Sequence, residues 1–259
     1  KDVTSYSELY TNVSKRDLRP GEVAQPALQT LERRNFASYF TYMDRVGAGF
    51  RGHPRDSKTI LTGPVVPNPV GLNKIKGAIN ALKAAMTKAR AEEGFFPLLT
   101  PGWLEHRIFN EHYKTAEEFL FAIAEGLRPQ YKAVVDAGLI LQLDDPTIAS
   151  TWNKALTAPN SIDYQKHIAL RVEALNHALQ GIPEDRVRYH FCWGSWHGPH
   201  IYDVALKDII DVVFKVKAQG YLIVAANVRH EHEAKLWETV KLDRKSTRLN
   251  SSHTDISRM

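Results

Sequence analysis

The sequence predicts the α/β class, with a (β/α)8 TIM barrel that is incomplete at its C-terminal end. Beyond about residue 55, short apolar runs alternate with amphipathic stretches at helical spacing, which predicts βαβ units and a parallel sheet. No glycine-rich phosphate loop opens a predicted helix, so a nucleotide-binding doubly wound sheet lacks its signature. Polar residues gather where the predicted strands end, as they do at the active-site face of a barrel.

Five βα units are predicted after residue 55. The predicted strands are residues 59–63, 95–99, 138–143, 186–193 and 221–226, and the predicted helices are residues 72–93, 115–137, 163–179, 203–218 and a segment beginning at residue 231. Thr115, followed by two glutamates, has the features of a helix N-cap. The first 55 residues have a mixed pattern and are expected to supply at least one further strand.

The chain is expected to form one partial barrel domain over residues 1–242, followed by a tail. Residues 243–259 are rich in Ser, Thr and Arg and have no apolar period. The segment KSTRLNSSHTDIS resembles translated sequencing-adapter sequence, so we interpret this tail as non-native. A disordered tail is the alternative. Because the first residue is Lys1, we also expect a cut N-terminus.

The composition excludes several classes of protein. Of the 259 residues, 43% are hydrophobic and 24% charged, as in ordinary globular proteins. There is no apolar run of about 20 residues, so no membrane partner is expected. The net charge of +5 comes from scattered basic residues without an aromatic stripe, so no nucleic-acid partner is expected. The single cysteine cannot form an internal disulfide, which favours a cytoplasmic location.

His190 and Cys192 form the strongest local signal. Residues two apart on a strand project from the same face, so an imidazole and a thiol would lie side by side at a strand end. This pair suits Zn²⁺, which binds neutral imidazole and thiolate. The alternative is that Cys192 is a small buried hydrophobic residue.

Other polar strand ends allow more than one interpretation. The segment QLDDP at residues 142–146 ends a predicted strand, and a carboxylate there either holds a substrate amine, acts as a general base or caps a helix or turn before proline. The segment RHEHE at residues 229–233 is best interpreted as the charged first turn of a helix. Trp196, His197 and His200 either line a pocket or cover the core.

Several longer segments resemble the cobalamin-independent methionine synthase family, specifically its members that consist of the catalytic barrel alone. The resembling segments are GPVVPNP, FFPLLTPGWLEHRIFNEHY, EEFLFAIAEGLRPQYKAVVDAGLILQLDDP, HFCWGSWHGPH and AANVRHEHE, in this order between about residues 59 and 233. The resemblance implies methyl transfer from a methylated folate to a thiol amino acid such as homocysteine, giving methionine. Zn²⁺ would be the cofactor, with His190 and Cys192 as ligands, and Asp144 would hold the substrate amino group.

The sequence departs from the family pattern at three places. Val224 stands where the family has a glutamate ligand, and the family's last cysteine ligand lies beyond the end of this chain. The family's early Gly-Glu motif has only residues 31–36 as a counterpart. We therefore expect poor activity from this chain. A related zinc-dependent thiol alkyl transferase with another acceptor, or a metal-free barrel without catalysis, are the alternatives.

Overall fold

The computed structural model describes residues 6–22, 30–46, 57–157, 163–194, 198–224, 228–240 and 248–249. The strands are β1 Val13–Asp17, β2 Ser57–Leu61, β3 Phe95–Leu99, β4 Phe109–Asn110, β5 Ile140–Asp145, β6 Val187–Phe191, β7 Gly220–Ile223 and β8 Arg248–Leu249. The α-helices are α1 Tyr6–Leu9, α2 Leu31–Asn35, α3 Ala37–Arg45, α4 Pro69–Ala89, α5 Pro101–Arg107, α6 Ala116–Asp136, α7 Thr147–Thr157, α8 Tyr164–Ala178 and α9 Ile210–Val213, and 3₁₀ helices occupy Glu184–Arg186, Leu206–Asp208 and Glu231–Glu238.

A five-stranded parallel sheet forms the centre of the fold, in the order β3-β5-β6-β7-β8. This confirms the predicted α/β class with a parallel sheet. Within the described ranges the sheet does not close on itself, as expected for an incomplete barrel. The two residues of β8 fall within the predicted tail and pair with β7, and the non-native origin of residues 243–259 stays a prediction.

The strands alternate between two faces, which fixes where the core lies. On β6, Val187, Tyr189 and Phe191 are fully buried, whereas Arg188 and His190 are only partly buried. The buried residues belong to one hydrophobic core with apolar side chains of α6 and α8. We call the helix-covered side of the sheet the core face. Burial of the apolar side chains on this face supplies most of the free energy that packs the sheet against the helices.

Side-chain caps begin the main helices. Thr115 accepts a hydrogen bond from the Glu118 N–H (3.1 Å), which confirms the predicted N-cap of α6. Asn68 caps α4, and Asp163 caps α8 in the same way. None of the helices in the described residues is long and apolar enough to cross a membrane.

Three predicted elements differ from the structure. The strand predicted at residues 59–63 exists as β2, but it lies in a separate three-stranded sheet, antiparallel to β1 and parallel to β4. Its partner β1 lies in the first 55 residues, where the pattern gave no assignment. The helix predicted at residues 203–218 is reduced to a 3₁₀ turn and the short α9, in a segment rich in β-branched residues that weaken helices. The helix predicted from residue 231 is a 3₁₀ helix.

Two helical glycines provide a matched test of packing in this fold. A Cβ atom added to Gly126 of α6 would lie 2.6 Å from the Tyr10 ring and 2.7 Å from Val65, whereas one added to Gly77 of α4 meets nothing within 4 Å. We expect Gly126→Ala to lower the free energy of unfolding by about 1–3 kcal/mol through overpacking. We expect Gly77→Ala to raise it by about 0.5–1 kcal/mol. Denaturant titrations measure both, and equal effects would contradict the packing of α6 on Tyr10.

Candidate functional site

The pairing of β5 with β6 places Asp144 beside His190. These two residues are direct partners in the parallel register, and Gln142 is likewise the partner of Arg188. Partners on neighbouring strands project from the same face of a sheet. All four side chains therefore lie on the side opposite the core face, which we call the polar face.

Cys192 continues the polar face beyond the end of β6. Phe191 is fully buried and Cys192 only partly buried, so the alternation of the strand is kept. On β7, Ile223 is the partner of Phe191, and the Val224 N–H donates to the Phe191 carbonyl (3.2 Å). The ladder thus extends by one residue and places Val224 beside Cys192. An apolar side chain occupies the position nearest the thiol on that strand.

The two neighbouring aspartates of β5 have different environments. Asp145 is buried on the core face, where its carboxylate accepts hydrogen bonds from the Tyr189 hydroxyl (3.0 Å) and the Thr147 N–H (3.0 Å). Asp145 therefore fulfils the turn-capping role that was left open for this segment. Asp144 faces the other way, so its carboxylate is available on the polar face.

Side-chain hydrogen bonds on the polar face connect Arg188 to Gln142 and Gln142 to Asp144. Arg188 Nε donates to Gln142 Oε1 (2.8 Å), and Nη2 donates to the same oxygen. Gln142 Nε2 in turn donates to Asp144 Oδ1 (2.8 Å). The guanidinium carbon of Arg188 lies 3.9 Å from the centroid of the Phe95 ring. We call Arg188, Gln142 and Asp144 the Arg188 relay.

Burial raises the pKa of the Asp144 carboxyl above its ordinary value. The hydrogen bond from Gln142 and the charges of His190 and Arg188 act in the opposite direction, but they do not offset the loss of hydration. The carboxylate is therefore incompletely compensated by the protein. A cation that enters the polar face would be bound favourably next to it.

Burial also raises the pKa of the Cys192 thiol, to about 11, although a backbone hydrogen bond with Gly194 acts against this. At neutral pH the thiol is therefore protonated in the protein alone. A thiolate is the nucleophilic form of cysteine, so the described residues around Cys192 do not activate it as a nucleophile. A metal ion would have to displace the proton to use the sulfur as a ligand.

The donor set on the polar face fits zinc in type but is incomplete in number. Imidazole and thiolate are its preferred ligands, and His190 and Cys192 lie about 6–7 Å apart along one face. The described residues contain no group of three or more His, Cys, Asp or Glu side chains that is arranged to hold a metal ion. Zinc binding by His190 and Cys192 and amine binding by Asp144 therefore stay predictions.

A cluster of two buried histidines and two largely buried acids lies beyond the ends of β6 and β7. We call His200, Asp203, His230 and Glu233 the His–acid cluster. Asp203 Oδ2 lies 2.7 Å from His200 Nδ1 and 3.0 Å from His230 Nε2, and His230 Nδ1 lies 2.7 Å from Glu233 Oε2. Glu233 Oε1 also accepts a hydrogen bond from the Leu206 N–H (2.8 Å). These contacts join the two loops that follow β6 and β7.

The His–acid cluster is held together by charge. Burial by itself would lower the pKa of His230, but its hydrogen bonds to Asp203 and Glu233 outweigh this and raise it. Burial would raise the pKa of both acids, yet hydrogen bonds outweigh this and lower it, with His200 and His230 for Asp203 and with His230 and the Leu206 N–H for Glu233. The His230 imidazole thus bridges two carboxylates, and in its protonated form it can donate with both ring nitrogens.

Trp193 connects this cluster to the strand end that carries Cys192. Its indole ring is stacked on the His230 ring, with centroids 3.7 Å apart, and its Nε1 donates to the Val204 carbonyl (2.8 Å). Because Trp193 follows Cys192 directly, the stack holds the backbone of the candidate site in place.

The sequence interpretation missed this cluster. The sequence predicts RHEHE as the charged first turn of a helix and gives no sign that His230 is buried or that His230 and Glu233 contact the loop that follows β6. His200 is buried and contacts Asp203, whereas Trp196 and His197 lie outside the described residues. The counterpart of the early family motif, residues 31–36, includes α2, where Glu32 is buried.

Comparisons with known proteins agree with the resemblance drawn from the motifs. No family model matches the chain. A methionine synthase from Saccharolobus islandicus (strain L.S.2.15 / Lassen #1) is 27% identical over 111 residues, which are 42% of this chain and 29% of that protein. One from Thermococcus kodakarensis is 24% identical over 134 residues, covering 51% of this chain and 32% of that protein. Over these segments the chain is similar to methionine synthases.

The relationship to the methionine synthases is partial. The matched segments span about a third of the length of these relatives. Among solved structures, a B12-independent methionine synthase from Shewanella sp. W3-18-1 in complex with selenomethionine overlaps 65% of this chain and 46% of its own, with 19% identity and a TM-score of 0.42. That structural likeness is weak.

The raised pKa of His230 predicts a pH-dependent contribution to stability. Its contribution is complete below the ordinary histidine pKa of 6.5 and is lost as the pH rises through the higher folded value. The lowered pKa values of Asp203 and Glu233 give the opposite trend in acid, so the cluster contributes most between about pH 4.5 and 6.5.

We therefore expect His230→Gln to cost about 3–5 kcal/mol at pH 6, because it leaves buried carboxylates uncompensated, and less at pH 9. Thermal unfolding at both pH values measures the difference from the unchanged protein. His232→Gln, at an exposed position of the same 3₁₀ helix, is the control. An equal loss at pH 6 and pH 9 would contradict a charged bridge.

Proposed function

We propose that this chain carries the site of a methyltransferase that moves a methyl group from a methylated folate to a thiol amino acid such as homocysteine, giving methionine. The pairing of Asp144 with His190 on adjacent strands, with Cys192 two positions further, is the observation that carries the proposal. It brings a carboxylate suited to an amino group close to two donors suited to a thiol-binding metal. The relationship to methionine synthases supports the same reaction.

Asp144 is proposed to bind the amino group of the substrate. Its carboxylate is directed onto the polar face and is incompletely compensated by charges of the protein. An ammonium group supplies the missing positive charge through a charge-assisted hydrogen bond. This contact would place the substrate chain across the β5–β6 pair, with its sulfur near His190 and Cys192.

Zinc is the proposed cofactor, with His190 and Cys192 as the residues that would hold it. When bound, the ion would keep a substrate thiol ionised at neutral pH, where a free thiol is mostly protonated. His190 would bind as a neutral imidazole, and Cys192 would lose its proton. Two protein ligands bind zinc less tightly than three or four, which agrees with the expectation of poor activity.

The proposed reaction is a displacement at the methyl carbon. The substrate sulfur forms a bond to this carbon while the bond between the carbon and the folate nitrogen breaks, and the electron pair stays on the nitrogen, which takes up a proton. The protein contributes by holding the two substrates in line. The cytoplasm, which the single cysteine favours, is a setting in which a thiol substrate stays reduced.

Val224 favours a second candidate function, a metal-free barrel that binds an amino acid without catalysis. The position beside Cys192 carries an isopropyl group instead of a donor, and the pKa of the thiol is raised. A zinc-dependent thiol alkyl transferase with another acceptor stays a third candidate. Metal content separates the metal-free candidate from the other two, and methyl transfer to homocysteine separates those two from each other.

The proposal predicts the metal content of the purified chain. After dialysis against micromolar zinc, we expect close to one zinc per chain, and we expect Cys192→Ala and His190→Gln each to remove it, since one remaining donor binds too weakly. Elemental analysis measures the content. The control is His112→Gln, which changes an exposed histidine distant from His190 in the sequence. This variant should retain zinc. Zinc that persists in both site variants would overturn the assignment.

The position of Val224 predicts a gain of affinity. A carboxylate at this position would lie beside Cys192 and raise the number of donors from two to three, so Val224→Glu is expected to tighten zinc binding by about tenfold or more, roughly 1.4 kcal/mol. Competition with a chromogenic chelator measures this. The control is Val228→Glu, which adds the same charge at an exposed position. It should leave the affinity for zinc unchanged.

A further inference from the structure

The Arg188 relay has a defined direction. Arg188 and Gln142 are partners in the β5–β6 register, two residues before the pair Asp144 and His190. A guanidinium has donors only, so its two N–H groups require the carbonyl oxygen of the Gln142 amide. The NH₂ group of Gln142 must then point away from Arg188, towards Asp144. The orientation of the amide is therefore set by the chemistry of its neighbours.

Arg188 is itself held in position. Its guanidinium packs on the Phe95 ring at the edge strand β3, a cation–π contact. Its partner on β7 is Gly220, which has no side chain to compete for the guanidinium. The side chain therefore extends towards β5, where Gln142 is buried. The Arg188 guanidinium is therefore held between the Phe95 ring and the Gln142 amide.

The relay determines which oxygen of Asp144 is offered to a ligand. Within the described part of the chain, the Asp144 carboxylate accepts a hydrogen bond from Gln142 alone, through Oδ1. This bond limits rotation of the carboxylate and leaves Oδ2 for a donor that comes from outside the protein. Without Gln142 the carboxylate could rotate, and both oxygens would compete for the incoming group.

We propose that Gln142 and Arg188 are positioning residues, which hold the Asp144 carboxylate so that Oδ2 receives the ammonium group of the amino-acid substrate. This inference rests on the proposed function, because it takes Asp144 as the amine-binding group. It adds two residues that do not contact the substrate but determine how well the amino group is recognised.

The test compares two ligands that differ only in the amino group. Homocysteine and 4-mercaptobutanoate, its analogue without the amine, are titrated calorimetrically into the zinc-treated chain. We expect Gln142→Leu and Arg188→Leu each to weaken homocysteine binding by about tenfold and to leave 4-mercaptobutanoate unchanged. The double variant should bind homocysteine no more weakly than either single variant, because both act through one carboxylate. Gln130→Leu, at a buried glutamine of α6, is the control.

A measurement without ligand tests the relay separately. In the ¹⁵N–¹H spectrum, the side-chain NH₂ signals of Gln142, assigned by their loss in Gln142→Leu, should shift in Asp144→Ala and in Arg188→Leu but not in Gln130→Leu. An unchanged chain that binds no homocysteine would overturn the proposed function and the substrate role of the relay, while these signals would still decide whether the relay exists. Equal weakening of both ligands, or weakening by Asp144→Ala alone, would overturn the positioning role.

Discussion

The register of β5 against β6 is the constraint on which the rest of the site depends. A shift by one residue would turn Asp144 into the core and bring Asp145 out. Side-chain hydrogen bonds stabilise the observed register on both faces of the sheet. Tyr189 binds Asp145 on the core face, and Arg188 binds Gln142 on the polar face. Both bonds require the same alignment of the two strands. Each of them therefore helps to hold Asp144 beside His190.

The fold keeps the polar groups that stabilise it apart from those available to a ligand. Asp145 is buried and the His–acid cluster is largely buried, and each of their carboxylates has hydrogen-bond partners. Asp144 and Cys192 have instead raised pKa values, because burial disfavours their charged forms and the protein compensates this only in part. The raised pKa means that the Asp144 carboxylate costs stability at neutral pH in the empty protein and gains most when a cation binds, whereas Cys192 stays a neutral thiol until a metal ion displaces its proton.

Strand periodicity was sufficient to predict the shared face of His190 and Cys192 and the α/β class, since both follow from local alternation. The pairing of Asp144 with His190 could not be predicted, because spacing along the chain does not determine the stagger of two strands. The His–acid cluster was missed because its two halves lie about 30 residues apart. A signal was present, however: His200 and Asp203, like His230 and Glu233, share the spacing i, i+3. The segment from residue 203 forms little helix because Asp203 is committed to two histidines and β-branched residues follow.

In this fold, the positions of His190 and Cys192 do not depend on whether a further metal donor is present. Phe191 and Trp193, on either side of Cys192, are buried and packed edge to face with centroids 4.9 Å apart, and Trp193 is stacked on His230. These contacts fix the backbone that carries His190 and Cys192, and the Val224 side chain takes no part in them. The neighbouring strand contributes at this point through its backbone, by the bond from the Val224 N–H to the Phe191 carbonyl. A change of side chain at residue 224 therefore alters how many donors face a metal ion without moving those already present.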